Sequence, residues 1–149
     1  MATLIGTERP VIDTLNHLLE LEFGAAAAYE AAIQRLDDPV ARDQLGQFMN
    51  DHLRHIQELG HLLRDRGRRP PDEADFKAVL TQGKVIIGGL VGDIGILSAM
   101  RSNEDGPHQA YEQALERDDL APRLQNTLTG NLADERRHRA WLEDRLSNL

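Results

Sequence analysis

An all-α fold of four long helices, arranged as two similar helical hairpins, is what this sequence predicts, and three observations carry it. Apolar residues recur at three- and four-residue intervals along almost the whole chain, with next to no β-branched alternation. Turn chemistry interrupts that periodicity at Asp37-Asp38-Pro39, at Gly67 to Pro71 and at Asp118 to Pro122. The third observation is an internal repeat. Residues 28–37 read AYEAAIQRLD and residues 110–119 read AYEQALERDD, so Tyr29 and Tyr111 lie 82 positions apart, as do Glu22 and Glu104. DHLRH at 51–55 returns as DERRH at 134–138, an offset of 83. Three separate motifs that agree within one residue of offset are not a chance of helical composition.

The elements follow in order. Helix A is expected from about Glu8 to Leu36, ending at the Asp-Asp-Pro breaker, and helix B from Pro39 to Arg66, stopping at Gly67. A polar connection, GRRPPDEAD, leads to helix C, expected from Ala74 or Asp75 to about Arg117 with Pro107 as a kink or interruption. Helix D begins after Asp118 or Asp119, either of which can cap it, carries Pro122 in its first turn and runs almost to Leu149. A chain of 149 residues is long enough to bury a core as one domain, here 1–149, with hairpin 1 over about 8–66 and hairpin 2 over about 74–148.

The stretch Val85 to Met100, VIIGGLVGDIGILSAM, is apolar but only sixteen residues long, with Asp93 in its middle, which excludes a membrane span. Each of its four glycines costs about 1 kcal/mol against Ala in a helix interior. Close backbone approach would offset that cost, so a homodimer through the glycine-bearing part of helix C is expected; a distorted buried helix without a partner is the alternative.

Composition narrows the chemistry. The absence of cysteine removes disulfides, iron-sulfur clusters, thiolate sites and cysteine nucleophiles, leaving imidazole and carboxylate as metal ligands. A net charge of -8 argues against nonspecific binding to nucleic acid or anionic membranes, and the local Arg64 to Arg69 cluster does not reverse it. The N-terminus shows no basic segment followed by an apolar run and a small-residue cleavage site, so a cytoplasmic protein is expected.

The core-facing stripes contain charges. Helix A presents Leu15, Leu18, Glu22, Tyr29, Ile33 and Leu36; helix B presents Leu45, Phe48, His52, His55, Leu59 and Leu62. Helix C gives Ile94, Leu97, Glu104, Tyr111 and Leu115, and helix D gives Leu128, Leu132, Glu135, His138, Leu142 and Leu146. Ionisable groups on four stripes then face one interior, where each costs several kcal/mol without a partner. Metal ions supply that partner; a buried polar network or pairing with interior arginines is the competing account. A Glu-to-Tyr step of seven is two helical turns, which sets each Tyr one layer from the ligands, suited to hydrogen-bond a carboxylate. Glu58-x-x-His61 is a rival pair on helix B but off the stripe, and reads as solvated. His108 is within reach of the site, His17 reads as surface, Asp51 lies one residue off the face, and Glu30 and Glu112 are turned about 100° from the tyrosines.

These motifs resemble the ferritin-like di-iron carboxylate superfamily, whose bundles use a Glu from each of two helices and a Glu-x-x-His from each of the other two. Glu22 with Tyr29 is similar to the first-helix pattern, Glu104 with Tyr111 to the third, and Glu135-x-x-His138 to the fourth. The layout is similar to that of small bacterial ferritin-like proteins of the YciF type. Helix B departs from the pattern, since His52-x-x-His55 replaces Glu-x-x-His and an imidazole stands where a bridging carboxylate is expected. The resemblance implies a ferritin-like four-helix bundle with two metal ions, iron or alternatively zinc or manganese, held by Glu22, His52, His55, Glu104, Glu135 and His138, with Glu135 as the remaining bridge. It implies either an oxidoreductase that oxidises ferrous iron or reduces dioxygen or peroxide, or a non-enzymatic, stress-associated or structural bundle with a redox-silent metal.

Overall fold

The computed structural model describes residues 2–149, with side chains described from Pro10 onward except at positions 83, 85 and 88. Helix α1 spans Ala2–Arg35 and α2 Pro39–Asp65; after a 3-10 turn at Glu73–Phe76 come α3 (Lys77–Gly88), α4 (Asp93–Asn103), α5 (Asp105–Leu115) and α6 (Pro122–Ser147). The four-helix core consists of α1, α2, the α4–α5 pair and α6, while α3 lies along α1.

Local chemistry sets most boundaries where expected. Asp38 caps α2 by accepting from the Val40 N–H at 3.1 Å, and Pro39 occupies the first turn. At the other end Gly67 takes φ +72°; its N–H donates to the Arg64 carbonyl at 2.9 Å and that of Arg68 to Leu63 at 3.0 Å, closing the helix in a Schellman motif. Asp72 and Asp75 form a reciprocal capping box over the 3-10 turn. Helix α1 starts earlier than expected, at Ala2, and passes through Pro10. The caps expected of Asp118 and Asp119 are not used: Asp119 pairs with Arg117 at 2.6 Å, and α6 starts at Pro122 behind Ala121 with no side-chain cap.

The single helix C is replaced by three segments. Its first break falls on Gly89 to Gly92, where Gly92 adopts φ +90°, a left-handed conformation open to glycine, and starts α4. Gly89 and Gly92 therefore stand outside helices, and the cost assigned to them as interior residues does not arise; position 88 lies outside the described side chains. Asp93 has its own task there: its carboxylate accepts from the backbone N–H of Asp37 at 2.8 Å and Asp38 at 3.0 Å, tying the α1–α2 turn to the start of α4. The second break is at Glu104, which keeps helical dihedrals between α4 and α5. Pro107 has no N–H to return to Asn103, so the ladder weakens one turn before the proline. The break shifts the buried face of α4 as well: Ile96, Leu97 and Met100 are buried, whereas Ile94 is 61% exposed. Close backbone approach occurs elsewhere, at Gly24, where a Cβ would stand 2.9 Å from Val79 Cγ1 and keep α3 off α1.

Two apolar clusters fill the bundle, one around Leu15, Leu18, Leu59, Leu63, Leu128 and Tyr111, the other around Ala32, Leu45, Phe48, Leu97, Met100 and Tyr29. Between them lies a layer of buried charged side chains. No described helix is long and apolar enough to cross a membrane.

Candidate metal centre

The stripes predicted for α1, α2 and α6 deliver Glu22, His52, His55, Glu135 and His138 to the bundle centre with no exposed surface, and Glu104 arrives from the α4–α5 junction at 2%. The donor atoms gather into two groups, Glu22, His52, His55 and Glu135 in the first and His52, Glu104, Glu135 and His138 in the second, each with its atoms within 4.8 Å of one another. In the first group His52 Nδ1 lies 2.8 Å from Glu22 Oε2 and 3.5 Å from Glu135 Oε1, and His55 Nδ1 lies 3.2 Å from Glu22 and 3.7 Å from Glu135. The second is more open, with His138 Nδ1 at 3.9 Å from both Glu104 and Glu135, and His52 Nε2 at 3.9 Å from Glu104. All six side chains singled out in the sequence are brought together.

Reciprocal contacts express the repeat in three dimensions. Tyr29 donates its hydroxyl to Glu104, and Tyr111 donates to Glu22 at 2.9 Å, so the first helix of each hairpin orients the carboxylate of the other. Across α2 and α6 the same exchange joins residues the sequence reading left aside. His55 Nε2 meets Asp134 at 2.9 Å, and His138 Nε2 meets Asp51 at 2.8 Å. Arg54 pairs with Asp134, and Arg137 with Asp51 at 2.7 Å, closing the outer side of the seam. Asp51 and Asp134 occupy the same place in DHLRH and DERRH; their shared offset was the available signal.

The surroundings of the two tyrosines break the symmetry. Behind Tyr111 the buried Asn131 amide contacts its hydroxyl at 3.2 Å. The equivalent of Asn131 in the first hairpin is Phe48, which packs edge-on against Tyr29, stacks at 4.2 Å on His138 and touches Trp141. The other histidines and acids stay out. His108 contacts Arg139 at 3.1 Å and Glu112 at 3.5 Å, Glu58 pairs with Arg54, and His17, His61 and Glu30 are exposed.

Electrostatics divide the groups into two kinds. Burial opposes ionisation of Glu22 and Glu104, but the neighbouring His52, which also hydrogen-bonds Glu22 at 2.8 Å, outweighs it, aided by His55 at Glu22; Glu22 falls well below the usual carboxylate range and Glu104 to about 2. Burial and the neighbouring Glu22 and Glu104 charges push Glu135 well above its usual range. Burial disfavours a charged His52, yet Glu22 and Glu104 raise it to about 10; His55 is raised in the same way by Glu22 and Asp134. Burial and the His52 charge hold His138 down to about 4. Burial works against ionisation of Asp51 and Asp134 too, but hydrogen bonds from His138 and His55, with Arg137 at both, keep them low. As anionic acceptors they fix the proton of each imidazole on Nε2 and leave Nδ1 facing the centre.

Without metal, Glu22 and Glu104 favour the charged forms of the imidazoles that face them, and Glu135 is biased toward its neutral form. Even so, among the described residues His52 Nε2, Glu104 Oε2, both oxygens of Glu135 and His138 Nδ1 have no hydrogen-bond partner. Buried polar atoms are rarely left so. Carboxylate and imidazole donors with lone pairs converging on one interior are the ligand set of divalent first-row metals, and the residues present fit such ions.

The profile of a domain of unknown function (DUF2383) matches residues 10–117. The chain belongs to the DUF2383 family. The matched family region contains Glu22, His52, His55 and Glu104, whereas α6, with Glu135 and His138, lies beyond it. No curated protein matches the chain. Among solved structures, the X-ray structure of Dps from Thermosynechococcus elongatus aligns with a TM-score of 0.82 at 18% identity, over 98% of this chain and 95% of that one. At that identity the likeness carries the fold, and this DUF2383 member has the ferritin-like helical architecture.

Proposed function

We propose that this protein binds two metal ions, with iron as the physiological metal, at the centre of the bundle, and that it oxidises ferrous iron or reduces dioxygen or peroxide there. The observation that carries the reading is the convergence of unpartnered, fully buried donor atoms: both oxygens of Glu135, Glu104 Oε2, His138 Nδ1 and His52 Nε2. Glu22, His52 and His55 would hold one ion, Glu104 and His138 the other, and Glu135 reaches both groups. When bound, iron supplies the redox capacity that side chains lack. The protein's share is positional: Tyr29 and Tyr111 orient the carboxylates of the opposite hairpin, Asp51 and Asp134 set the imidazole tautomers, and the two apolar clusters keep bulk water from the layer between them. Metal loading competes with the protons that burial and neighbouring charge favour on Glu135, His52 and His55.

A second reading, a metal-holding bundle without turnover, is favoured by the donor charge. Three carboxylates offset most of the charge of a divalent pair but only half that of a trivalent pair, so zinc or manganese would suit the same ligands. In layout the protein fits the small bacterial YciF-type branch of ferritin-like proteins. Metal analysis of protein purified without chelator, followed by stopped-flow absorbance on aerobic mixing with ferrous iron, separates the readings. Two tightly held metals per chain and a ferric absorbance phase are expected. Tight metal without that phase supports the redox-silent reading, and absence of tight metal refutes both.

A further inference from the structure

The two donor groups are alike in composition, each with two glutamates and two histidines, but they differ in shape. In the first, the distances between neighbouring donors are 2.8, 3.2, 3.5 and 3.7 Å, with two imidazole nitrogens and two carboxylate oxygens. A tetrahedral ion with bonds of about 2.0–2.1 Å has ligand-to-ligand edges of about 3.3–3.4 Å, in the middle of that range. The second group has donor separations of 3.9 Å at each of its three recorded pairs. Edges that wide correspond, in a tetrahedron, to bonds of about 2.4 Å, too long for zinc. Such a position suits an ion of higher coordination number that completes its shell with water. A shell of that size fits ferrous iron better than zinc.

We propose that the centre is selective position by position: the first group takes a zinc-type tetrahedral ion, and the second takes ferrous iron, giving a mixed pair. This rests on the reading of the cluster as a two-metal site and goes beyond it by assigning a different ion to each half. The sequence change responsible is His52, the imidazole in place of a carboxylate, which gives the first group its second nitrogen. His52 Nδ1 faces Glu22 at 2.8 Å while its Nε2 stands farther, at 3.9 Å, from Glu104. The ring therefore stands closer to the first group, and its Nε2 reaches the second only at the wider spacing.

The test loads the metal-free, full-length protein anaerobically with one equivalent each of zinc and ferrous iron and crystallises it. Anomalous diffraction above and below the two absorption edges then reads the occupancy of each position. Zinc is expected at Glu22, His52, His55 and Glu135, and iron at Glu104, His138 and Glu135, each about tenfold over the other metal. His52→Glu, which restores a carboxylate, is expected to reduce that discrimination to near parity; because wild type alone decides the assignment, a variant that fails to fold leaves the test intact. Two metals mixed statistically or zinc in the second position would overturn the selectivity and leave the two-metal reading standing, and a preference in His52→Glu equal to that of wild type would overturn the part assigned to His52. If neither position fills, both fall together.

Discussion

The crossed histidine–aspartate pairs yield a prediction that proximity in sequence would get backwards. Asp51 precedes His52, a ligand of the first group, but its carboxylate reaches across to His138 of the second; Asp134 precedes Glu135 and supports His55 of the first. Asp51→Asn removes the anion that fixes His138 on its Nε2 tautomer and also the partner of Arg137 at 2.7 Å, with little change in volume. Asp51 and Asp134 side chains are only 15% and 20% exposed, so solvent replaces little of what is lost. Outer partners of this kind change metal affinity by about 10–100-fold, that is, by about 1.4–2.7 kcal/mol. Asp51→Asn is therefore expected to weaken the second position by that factor and leave the first nearly unchanged, and Asp134→Asn to do the reverse. Calorimetric titration of metal-free protein resolves the two binding steps. The lone Trp141 marks the second, because its ring packs at 5.8 Å on Phe48, which stacks on His138. If Asp51→Asn weakened the step that leaves Trp141 fluorescence untouched, or if the two variants affected the same step, the crossed arrangement would be refuted.

Glu135→Gln is expected to abolish paired metal binding while raising the stability of the metal-free protein at neutral pH by about 1 kcal/mol, since an amide does not ionise and removes the cost of a buried carboxyl held beside Glu22 and Glu104; a less stable metal-free variant would contradict the account of Glu135. The pH dependence of metal-free stability follows from the two oppositely shifted histidines. His52, raised from 6.5 to about 10, contributes fully below 6.5 and loses that contribution as pH climbs to about 10. His138, lowered to about 4, penalises folding as pH falls from 6.5, because the unfolded chain takes up a proton the buried ring refuses. Glu135, raised well above 4.5, penalises folding as pH rises and offsets the His138 slope, so thermal denaturation in chelator should show stability level below pH 6.5 and falling above it, and a profile rising steadily to pH 10 would contradict it. A homodimer is expected in solution through Ile86, Val91 and Ile94, which expose 53%, 89% and 61% of their surface beside the α3–α4 break. Ile94→Asp should give a monomer by light scattering, and a wild type already monomeric would dispose of the idea.

Local physics made much of this protein readable in its sequence. Helical periodicity placed Glu22, His52, His55, Glu135 and His138 on inward faces because a stripe at three- and four-residue spacing must turn toward the core. The repeat supplied the pseudo-twofold relation, and Pro39 and Gly67 marked helix ends through their own backbone constraints. What periodicity could not give was anything dependent on the distance between helices. Asp51 looks off-face along α2, and it is only the close approach of α6 that brings His138 within 2.8 Å. The division of helix C is of the same kind. Pro107 and the glycines announce weakness, but the break became the end of α3 and the start of α4 because Asp93 finds the Asp37 and Asp38 N–H groups across the bundle. The sequence by itself determined which side chains of α1, α2 and α6 turn toward the interior, since that depends on spacing along one helix; the tertiary structure decided which of them meet, and so arranged six ligands into one tight group and one open group, because those separations are set by how four helices cross.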